Sequence, residues 1–317
     1  MNKLDILCIG TALIDSIIKG FDPNPISASG FIADSGSLNV GGEAVNEAVT
    51  AAKLGAKTGI LCSLGQDAAG DMIISSLKLN GVNTDHVIRS AENPTPVTTM
   101  FVNADGTRKS ITNSSHRYNF HPEQYPDIIK NSRAIILGSL FRAPFNGPEV
   151  IETVLSTAKK EGALVFADTK LPNFKVLSLK DIKESLPLID YITPNEDEAK
   201  YYTGKTDPSD MADVFLSYGI KNVIIKLGGK GCFFKNDKQT ITLKAYDIKA
   251  VDATGAGDNF VAGFTSELLL GADLEAALRF ANACGAICTT AVGACTAIKS
   301  RDQVANFVSN SESSLTI

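Results

Sequence analysis

Six short apolar runs, separated by segments with helical spacing, constrain most strongly how this chain can fold. The runs read LDILCIG, KTGILCSLG, RAIILGSL, ALVFAD, YITP and NVIIKLG. Each is continuously apolar rather than alternating, which is typical of strands buried on both faces of a parallel sheet. The helical segments between them are EAVNEAVTAAKL, DMIISSLKLN, PEVIETVLSTAKKE and ADVFLSYG. This alternation predicts an α/β fold, with a doubly wound, mostly parallel central sheet and helices on both sides.

Two stretches interrupt the alternation. Residues 11–40 contain FDPNPISASGFIADSGSLNV, and residues 95–113 contain two β-like runs about a turn at Ala104–Thr107. We expect both to form a small sheet inserted into one domain that spans residues 1–317. A few projecting strands bury little surface by themselves, so they should cover something or pair with another subunit. A lid, and a homodimer that pairs through the lid, are therefore predicted.

The charge balance excludes some classes of partner. The chain of 317 residues has 30 Lys and Arg against 35 Asp and Glu, a net charge of −5, so it lacks the overall basic field that holds nucleic acid or an anionic membrane. No apolar run approaches the roughly 20 residues of a membrane span. Six cysteines form no C-x-x-C pair, which suits buried thiols in a reducing compartment. We expect a cytoplasmic protein that handles small molecules.

The stretch VDATGAGDNFVAGF, residues 251–264, carries the strongest chemical signal. It follows a β-like segment, AYDIKAVDA. Gly255, Ala256 and Gly257 allow a sharp bend, and Asp258 then opens an apolar helix whose free N–H groups favour an anion. An anion cradle beside a carboxylate suits phosphoryl transfer to an alcohol, with Asp258 as the proton acceptor. An ordinary helix cap at Asp258 is the alternative, although a cap does not need two glycines.

Two common nucleotide motifs are absent from the sequence. A G-x-G-x-x-G dinucleotide fingerprint would require glycine where Phe260 stands, and a Walker A loop ending at Gly204–Thr206 would require glycine where Ala199 stands. A nicotinamide-dependent oxidoreductase is therefore disfavoured.

The motifs resemble those of a known family. VDATGAGDNFVAG is similar to the C-terminal signature of the ribokinase-like (PfkB) carbohydrate kinases, and GGEAVNEAVTAAKLGAKTGILCSLGQDAAGD, residues 41–71, is similar to their N-terminal signature. The resemblance covers nearly the whole chain. It implies a kinase that uses ATP and Mg²⁺ to phosphorylate a hydroxyl of a fructose-, ketodeoxygluconate- or ribose-like sugar. A nucleoside kinase of the same family and a non-catalytic binding protein are the alternatives.

The resemblance also implies which residues bind the sugar. They are Asp15, Gly41, Gly42, Asn46, Asn113 and Lys170, with Asp258 as the base. The Lys170 cation could contact either an acidic sugar or the ATP phosphates. Arg117 follows the second lid run and is a further candidate, whereas the neighbouring His116 fits an ordinary surface residue equally well. Glu43 stands where ribokinases usually have Lys, Ile14 where they have Asn, and GSLFRAP lacks their acid, so the resemblance does not single out ribose.

Matches on the nucleotide side are implied in the same way. Asn195 and Glu198 match an N-x-x-E element that organises Mg²⁺ and phosphates through water. Lys226, Gly228 and Gly231 in IIKLGGKG match a turn beside the ATP phosphates, and Asn282 matches a position near adenine. Asp252 and Thr254 match a monovalent-cation site of some members, which implies K⁺. The residues alone also allow a helix cap at Asn195 and a hairpin turn at Gly228–Gly231.

Overall fold

The computed structural model describes residues 3–20, 33–103, 107–113, 120–173 and 176–313. The strands in these ranges are β1 (Leu4–Ile9), β2 (Leu13–Lys19), β3 (Ser35–Gly41), β4 (Thr58–Gly65), β5 (Val87–Ser90), β6 (Val97–Val102), β7 (Arg108–Thr112), β8 (Ser132–Leu140), β9 (Leu164–Thr169), β10 (Tyr191–Ile192), β11 (Asn222–Lys226), β12 (Cys232–Asn236) and β13 (Thr240–Leu243). The α-helices are α1 (Glu43–Lys53), α2 (Ala68–Leu79), α3 (Pro126–Lys130), α4 (Pro148–Lys160), α5 (Glu196–Thr203), α6 (Pro208–Ser217), α7 (Ala256–Leu269), α8 (Leu274–Cys288) and α9 (Arg301–Ser313).

The main sheet has nine strands in the order β13-β12-β11-β10-β9-β8-β1-β4-β5. Neighbours from β11 to β5 pair in parallel, and only β12 and β13 add antiparallel pairs. This confirms the predicted fold class and all six predicted strands. From β1 the chain adds strands first on one side and then, from β8, on the other. Ligands of such sheets bind beyond the carboxyl ends of the strands at this switch point.

Strand β1 shows why the predicted strands are apolar throughout. Leu7 and Ile9 face one hydrophobic core, which contains residues of α3, α4 and α6. Ile6 and Cys8 face a second core, which contains residues of α1, α2, α7 and α8. All four side chains are fully buried, because successive residues of a strand point to opposite faces and helices cover both. None of the described helices is long and apolar enough to cross a bilayer.

A separate four-stranded sheet in the order β3-β2-β6-β7 confirms the predicted small sheet. Its strands come from the two stretches that interrupt the alternation. Residues 21–32 of the first stretch lie outside the described residues, and so do residues 104–106 of the predicted turn. The prediction of a β-like segment at AYDIKAVDA is wrong, since residues 245–253 belong to neither sheet. Several of them line a cavity instead, and none of them pairs with a described strand.

Candidate active site

Helix α7 begins at Ala256, so Asp258 is not its cap. The N-cap is Gly255, whose φ of 79° favours glycine and whose missing side chain leaves room for Ala294. The N–H of Ala256 donates to the Ala253 carbonyl at 3.2 Å, whereas those of Gly257 and Asp258 have no backbone acceptor in the described part of the chain. These two amides at the positive end of the helix can receive an anion. The prediction that Asp258 opens the helix is therefore wrong, because the helix begins two residues earlier. The buried Asp258 carboxylate does not cap the helix and is available for another role.

The Asp258 carboxylate is held between two cationic or hydrogen-bonding groups. Asn46 Nδ2, on α1, donates to Asp258 Oδ2 at 2.7 Å, and Lys170 Nζ lies 3.9 Å from Oδ1. Burial raises the pKa of Asp258, and the Lys170 ammonium offsets part of that rise. Thr50 also donates to Asn259 at 2.8 Å, so α1 and α7 are joined twice. The two signature segments of the sequence therefore meet around one carboxylate.

The glycine pair before α1 makes room for the Asp15 side chain and for a bend. A Cβ on Gly41 would lie 2.5 Å from Asp15 Oδ2, so only glycine lets that carboxylate rest against the strand. Gly42 has φ 101° and packs directly against the Thr11 carbonyl. Asp15 and Gly42 both line the same cavity as Asp258, while Gly41 contacts Asp15 and does not line the cavity itself.

Asp168 is a site residue that the sequence reasoning missed. Lys226 Nζ donates to Asp168 Oδ1 at 2.5 Å, and Thr193 Oγ1 donates to the same oxygen at 2.8 Å. The signal was available, because Asp168 directly follows the apolar run of β9 and so lies at the carboxyl edge of the sheet. Lys170 lies two residues after Asp168. Burial alone would lower the pKa of its ammonium group, but the nearby carboxylates of Asp258 and Asp168 have the larger effect, so the pKa of Lys170 is raised.

Asn195 and Glu198 form a reciprocal capping box at the start of α5. Asn195 Oδ1 accepts from Glu198 N at 2.9 Å, and Glu198 Oε2 accepts from Asn195 N at 3.0 Å and from Thr169 Oγ1 at 2.8 Å. The alternative of a helix cap at Asn195 is thus confirmed. The cap also orients Glu198 toward the carboxyl edge of the central sheet, where Asp168 lies. Only its second oxygen is uncommitted among the described contacts, so the pair fits a hydrated cation better than one bound directly by both side chains.

The glycine turn after β11 is both a hairpin turn and a cavity wall. Residues 228–230 form one 3-10 turn between β11 and the antiparallel strand β12. Gly228 has φ 57° and Gly231 φ 105°, and Gly231 packs directly against the Leu243 carbonyl. Gly228, Gly231 and Asn282 line the same cavity, which confirms the alternative hairpin while leaving the nucleotide role as a prediction.

Two cavities meet at the cradle. One, of about 500 Å³, contains the side chains around Asp258, and the other, of about 530 Å³, lies between the glycine turn and α8. The residues common to both are Lys226, Gly228, Ala253, Ala256 and Gly257. Each volume suits a small molecule. The free amides therefore lie where two bound molecules would touch.

Of the remaining predicted residues, Asp252 and Asn113 lie outside these cavities, Thr254 lines one of them, and two others are not among the described residues. Asp252 accepts hydrogen bonds from Thr254 N and Oγ1 at 3.0 and 2.7 Å and from Gly293 N at 3.1 Å, which ties the cradle loop to the loop after α8. Thr254 lines the first cavity. Asn113 accepts from Val97 N at 2.5 Å and so caps a strand of the small sheet. Arg117 and His116 are not among the described residues.

Comparisons with known proteins agree with this geometry. Residues 3–301 match the family described as pfkB family carbohydrate kinase. A ribokinase of Haemophilus influenzae is 32% identical over 278 residues, 84% of this chain and 87% of that protein. A probable fructokinase-5 of Arabidopsis thaliana is 30% identical over 313 residues, 92% and 94% of the two chains. The structure of an Arabidopsis thaliana ribokinase complexed with ribose and ATP has a TM-score of 0.86 at 26% identity, with 96% of this chain and 99% of that chain covered.

The family match, the two curated relatives and the structural likeness extend over most of the chain. They confirm the resemblance drawn from the two signature segments. The chain therefore belongs to the pfkB family of carbohydrate kinases and is an ATP-dependent sugar kinase, a phosphotransferase with a sugar hydroxyl as acceptor.

Proposed function

We propose that this kinase binds a neutral sugar in the cavity around Asp258 and ATP in the cavity beside the glycine turn, and that the phosphoryl group passes between them at the α7 cradle. The observation that carries the proposal is the meeting of the two cavities at Gly257, with the Asp258 carboxylate on one side. The relatives with ribose, fructose and ATP in their names support the two substrate classes.

In this proposal Asp258 removes the proton from the attacking hydroxyl. The hydroxyl oxygen forms a bond to the terminal phosphorus of ATP as the bond from that phosphorus to the ADP oxygen breaks, and the hydroxyl proton moves to Asp258. The amides of Gly257 and Asp258 donate to the phosphoryl oxygens, whose charge they stabilise best when held rigid at a helix start. Asn46 keeps the base oriented toward the cavity.

Lys170 is proposed to stabilise the migrating phosphoryl group. Its ammonium lies 3.9 Å from Asp258 and is stabilised by Asp168, Glu43 and Glu198, so it stands between the sugar side and the nucleotide side. Asn195 and Glu198 would hold a hydrated Mg²⁺, and the ion would neutralise charge on the phosphates when bound. Lys226, fixed by Asp168, borders both cavities and would contact the phosphates as well.

A neutral acceptor is favoured by the charges of the sugar cavity. Its lining contains the carboxylates of Asp15, Glu43 and Asp258, which outnumber the ammonium groups of Lys170 and Lys226. Each lysine already faces a carboxylate, Asp258 for Lys170 and Asp168 for Lys226, so the net negative lining accepts hydrogen bonds from hydroxyls but repels an acidic sugar. A coupled ADP-release assay over fructose, ribose, ketodeoxygluconate and nucleosides tests this. We expect kcat/KM for a neutral sugar to exceed that for ketodeoxygluconate by about tenfold or more. A preference for the acid would contradict the proposal.

Activation by K⁺ is a further part of the proposal and uses the same assay. Asp252 and Thr254 lie in the loop directly before the cradle, and Asp252 ties that loop to Gly293. A cation bound to this loop would help to hold the free amides in place. The assay should therefore run faster in K⁺ than in Na⁺ buffer, and equal rates would remove K⁺ from the proposal.

We also propose that two copies pair through their small sheets. Leu38 on β3 and Ile111 on β7 are 60% and 67% exposed, and pairing through Ser16 and Thr99 places them in one row on the same face of the sheet. The neighbouring residue Asp15 points to the opposite face, where it lines the sugar cavity. One face can thus cover the site while the other contacts a second copy.

Replacing both Leu38 and Ile111 by Asp should convert a dimer into a monomer, because a charge buried without a partner opposes association. Light scattering after size-exclusion chromatography measures the mass of each variant. Leu79→Asp, at an 89% exposed position on α2, is the matched control and should leave the mass unchanged. A wild-type monomer, or a double variant that still dimerises, would contradict pairing through this face.

The buried free thiols support a reducing, cytoplasmic location as part of the same proposal.

A further inference from the structure

Glu47 is a fully buried acid to which the proposed mechanism gives no task. It follows Asn46 on α1, its exposure is 0%, and neither carboxyl oxygen has a hydrogen-bond partner in the described part of the chain. Buried polar atoms nearly always have such a partner, so the exception requires an explanation. Nothing in a helix surrounded by Ala44, Ala48 and Ala51 requires an acid for packing.

The Glu47 side chain points at the catalytic centre from behind. Its carboxyl oxygen and those of Asp168 and Asp258 all lie within 4.8 Å of one another. A Cβ on Gly138 of β8 would lie 3.0 Å from Glu47 Oε2. The glycine at this position of the strand therefore leaves space for the Glu47 carboxyl group. The titratable groups that face Glu47 come from four elements: Glu43 from α1, Cys8 from β1, Asp168 and Lys170 from β9 and the residues after it, and Asp258 from α7.

The three clustered carboxyls differ in how their negative charge is stabilised. Asp258 has the Asn46 amide and the Lys170 ammonium, and Asp168 has the Lys226 ammonium and the Thr193 hydroxyl. Glu47 has no equivalent group. Burial raises the pKa of Glu47 well above its ordinary value, Asp258, Asp168 and Glu43 raise it further, and Lys170 offsets only part. When neighbouring acids have such unequal surroundings, the proton resides on the one without partners.

We propose that Glu47 is a positioning residue that carries a proton at neutral pH, so that Asp258 beside it remains the ionised base facing the sugar. The protonated carboxyl adds no third negative charge behind the base. Its O–H has two acceptors near it: Asp168 Oδ2, which has no hydrogen-bond partner in the described part of the chain, and the Asp258 carboxylate, where the bond would restrain the base in the cavity. The role toward Asp258 rests on the proposed function, whereas the protonation of Glu47 does not.

Infrared difference spectroscopy on the nucleotide-free protein tests the protonation directly. The spectrum of wild type minus Glu47→Gln at pH 7 should contain the carbonyl stretch of a carboxylic acid, and this band should disappear once a rise in pH ionises Glu47. Glu267→Gln is the matched control, since Glu267 is also buried but both of its oxygens are bound by Arg301 at 2.6 and 2.8 Å. Carboxylate bands from Glu47 at pH 7 would overturn the proposal.

Stability gives a second readout with a defined sign. A carboxyl whose pKa is raised on folding destabilises the native state progressively as pH rises from its unfolded pKa toward its folded pKa. Glu47→Gln removes this penalty, so its melting temperature should gain on wild type between pH 5 and pH 8. Glu267→Gln loses an ion pair and should melt below wild type at every pH in that range. A constant or shrinking difference for Glu47→Gln would contradict a protonated Glu47.

Kinetics connect the proton to the base. Since glutamine is neutral like the protonated acid, Glu47→Gln should keep kcat within about threefold and leave the acidic limb of the kcat/KM profile in place. A charged Glu47 would have raised the pKa of Asp258, so a limb that moves to lower pH would overturn the proposal. So would Mn²⁺ binding, seen by electron paramagnetic resonance without nucleotide, that Glu47→Gln abolishes. If Asp258→Asn instead kept full activity, the base role would fail while the infrared result would still decide the state of Glu47.

Discussion

Replacing Asp258 by Asn is expected to lower kcat by about 10²–10⁴-fold, the contribution of a positioned general base. Asparagine has the same shape and can still accept the hydrogen bond from Asn46, so the fold and the cradle should persist. ATP affinity, measured by calorimetry, should change little, because the nucleotide cavity does not include residue 258. Asp5→Asn, at a surface ion pair with Arg133, is the control and should keep wild-type kcat.

The pH profile of the wild-type enzyme follows from the same residue. Burial raises the pKa of Asp258 above its ordinary value of 3.8, although Lys170 offsets part of the rise. Only the ionised carboxylate can accept a proton, so kcat/KM should fall as the pH drops through this raised pKa. The acidic limb should therefore lie at a higher pH than the ordinary aspartate pKa of 3.8 predicts. Near-normal turnover of Asp258→Asn would contradict the role of Asp258 as proton acceptor. So would an acidic limb of the kcat/KM profile that the substitution leaves unchanged.

Replacing Lys170 by Met is expected to lower kcat by about 10²–10³-fold, the usual loss when a preorganised group that stabilises the transition state is removed. The substitution also removes the ammonium that lies 3.9 Å from Asp258 and lowers the pKa of that carboxyl. The pKa of Asp258 should therefore rise further, and the acidic limb of kcat/KM should move to higher pH. Loss of rate and shift of the limb are separate results of one change.

Lys170→Arg separates charge from position in this test. It keeps the positive charge, so the acidic limb should stay near that of wild type even where the bulkier guanidinium lowers kcat. If Lys170→Met raised KM for the sugar and left kcat intact, Lys170 would bind the acceptor and not the migrating phosphoryl group. If both variants behaved like wild type, the residue would have no part in the reaction.

Local sequence signals predicted much of the fold. The continuous apolar runs of β1, β4, β8 and β9 follow from burial on both sheet faces. The edge strands β5 and β13 were missed, and so was β12 beside β13, since all three are short and partly polar. The segment AYDIKAVDA shows the opposite error: its β-branched and aromatic residues suit a strand, yet residues 245–253 belong to neither sheet and several of them line a cavity.

The candidate site was predicted as separate motifs rather than as a constellation. Glycine pairs at residues 41–42 and 255–257 indicated bends and an anion cradle, because the conformational freedom of glycine is a local property. Asp168 and Glu47 were missed, the first despite its place at a strand end and the second because it lies within a run of buried small residues. Their importance depends on neighbours from other elements, which local patterns do not contain.

The sequence by itself determined the order of strands and helices, the turns and the family signatures, since periodicity and glycine positions act within a few residues. Tertiary structure alone decided which groups share the site: Asn46 bonds to Asp258 across 212 residues of chain, and Lys226 to Asp168 across 58. It also decided the unequal surroundings of the three clustered carboxyls. Burial and Coulomb interactions depend on distance in space, and the chain must fold before those distances exist.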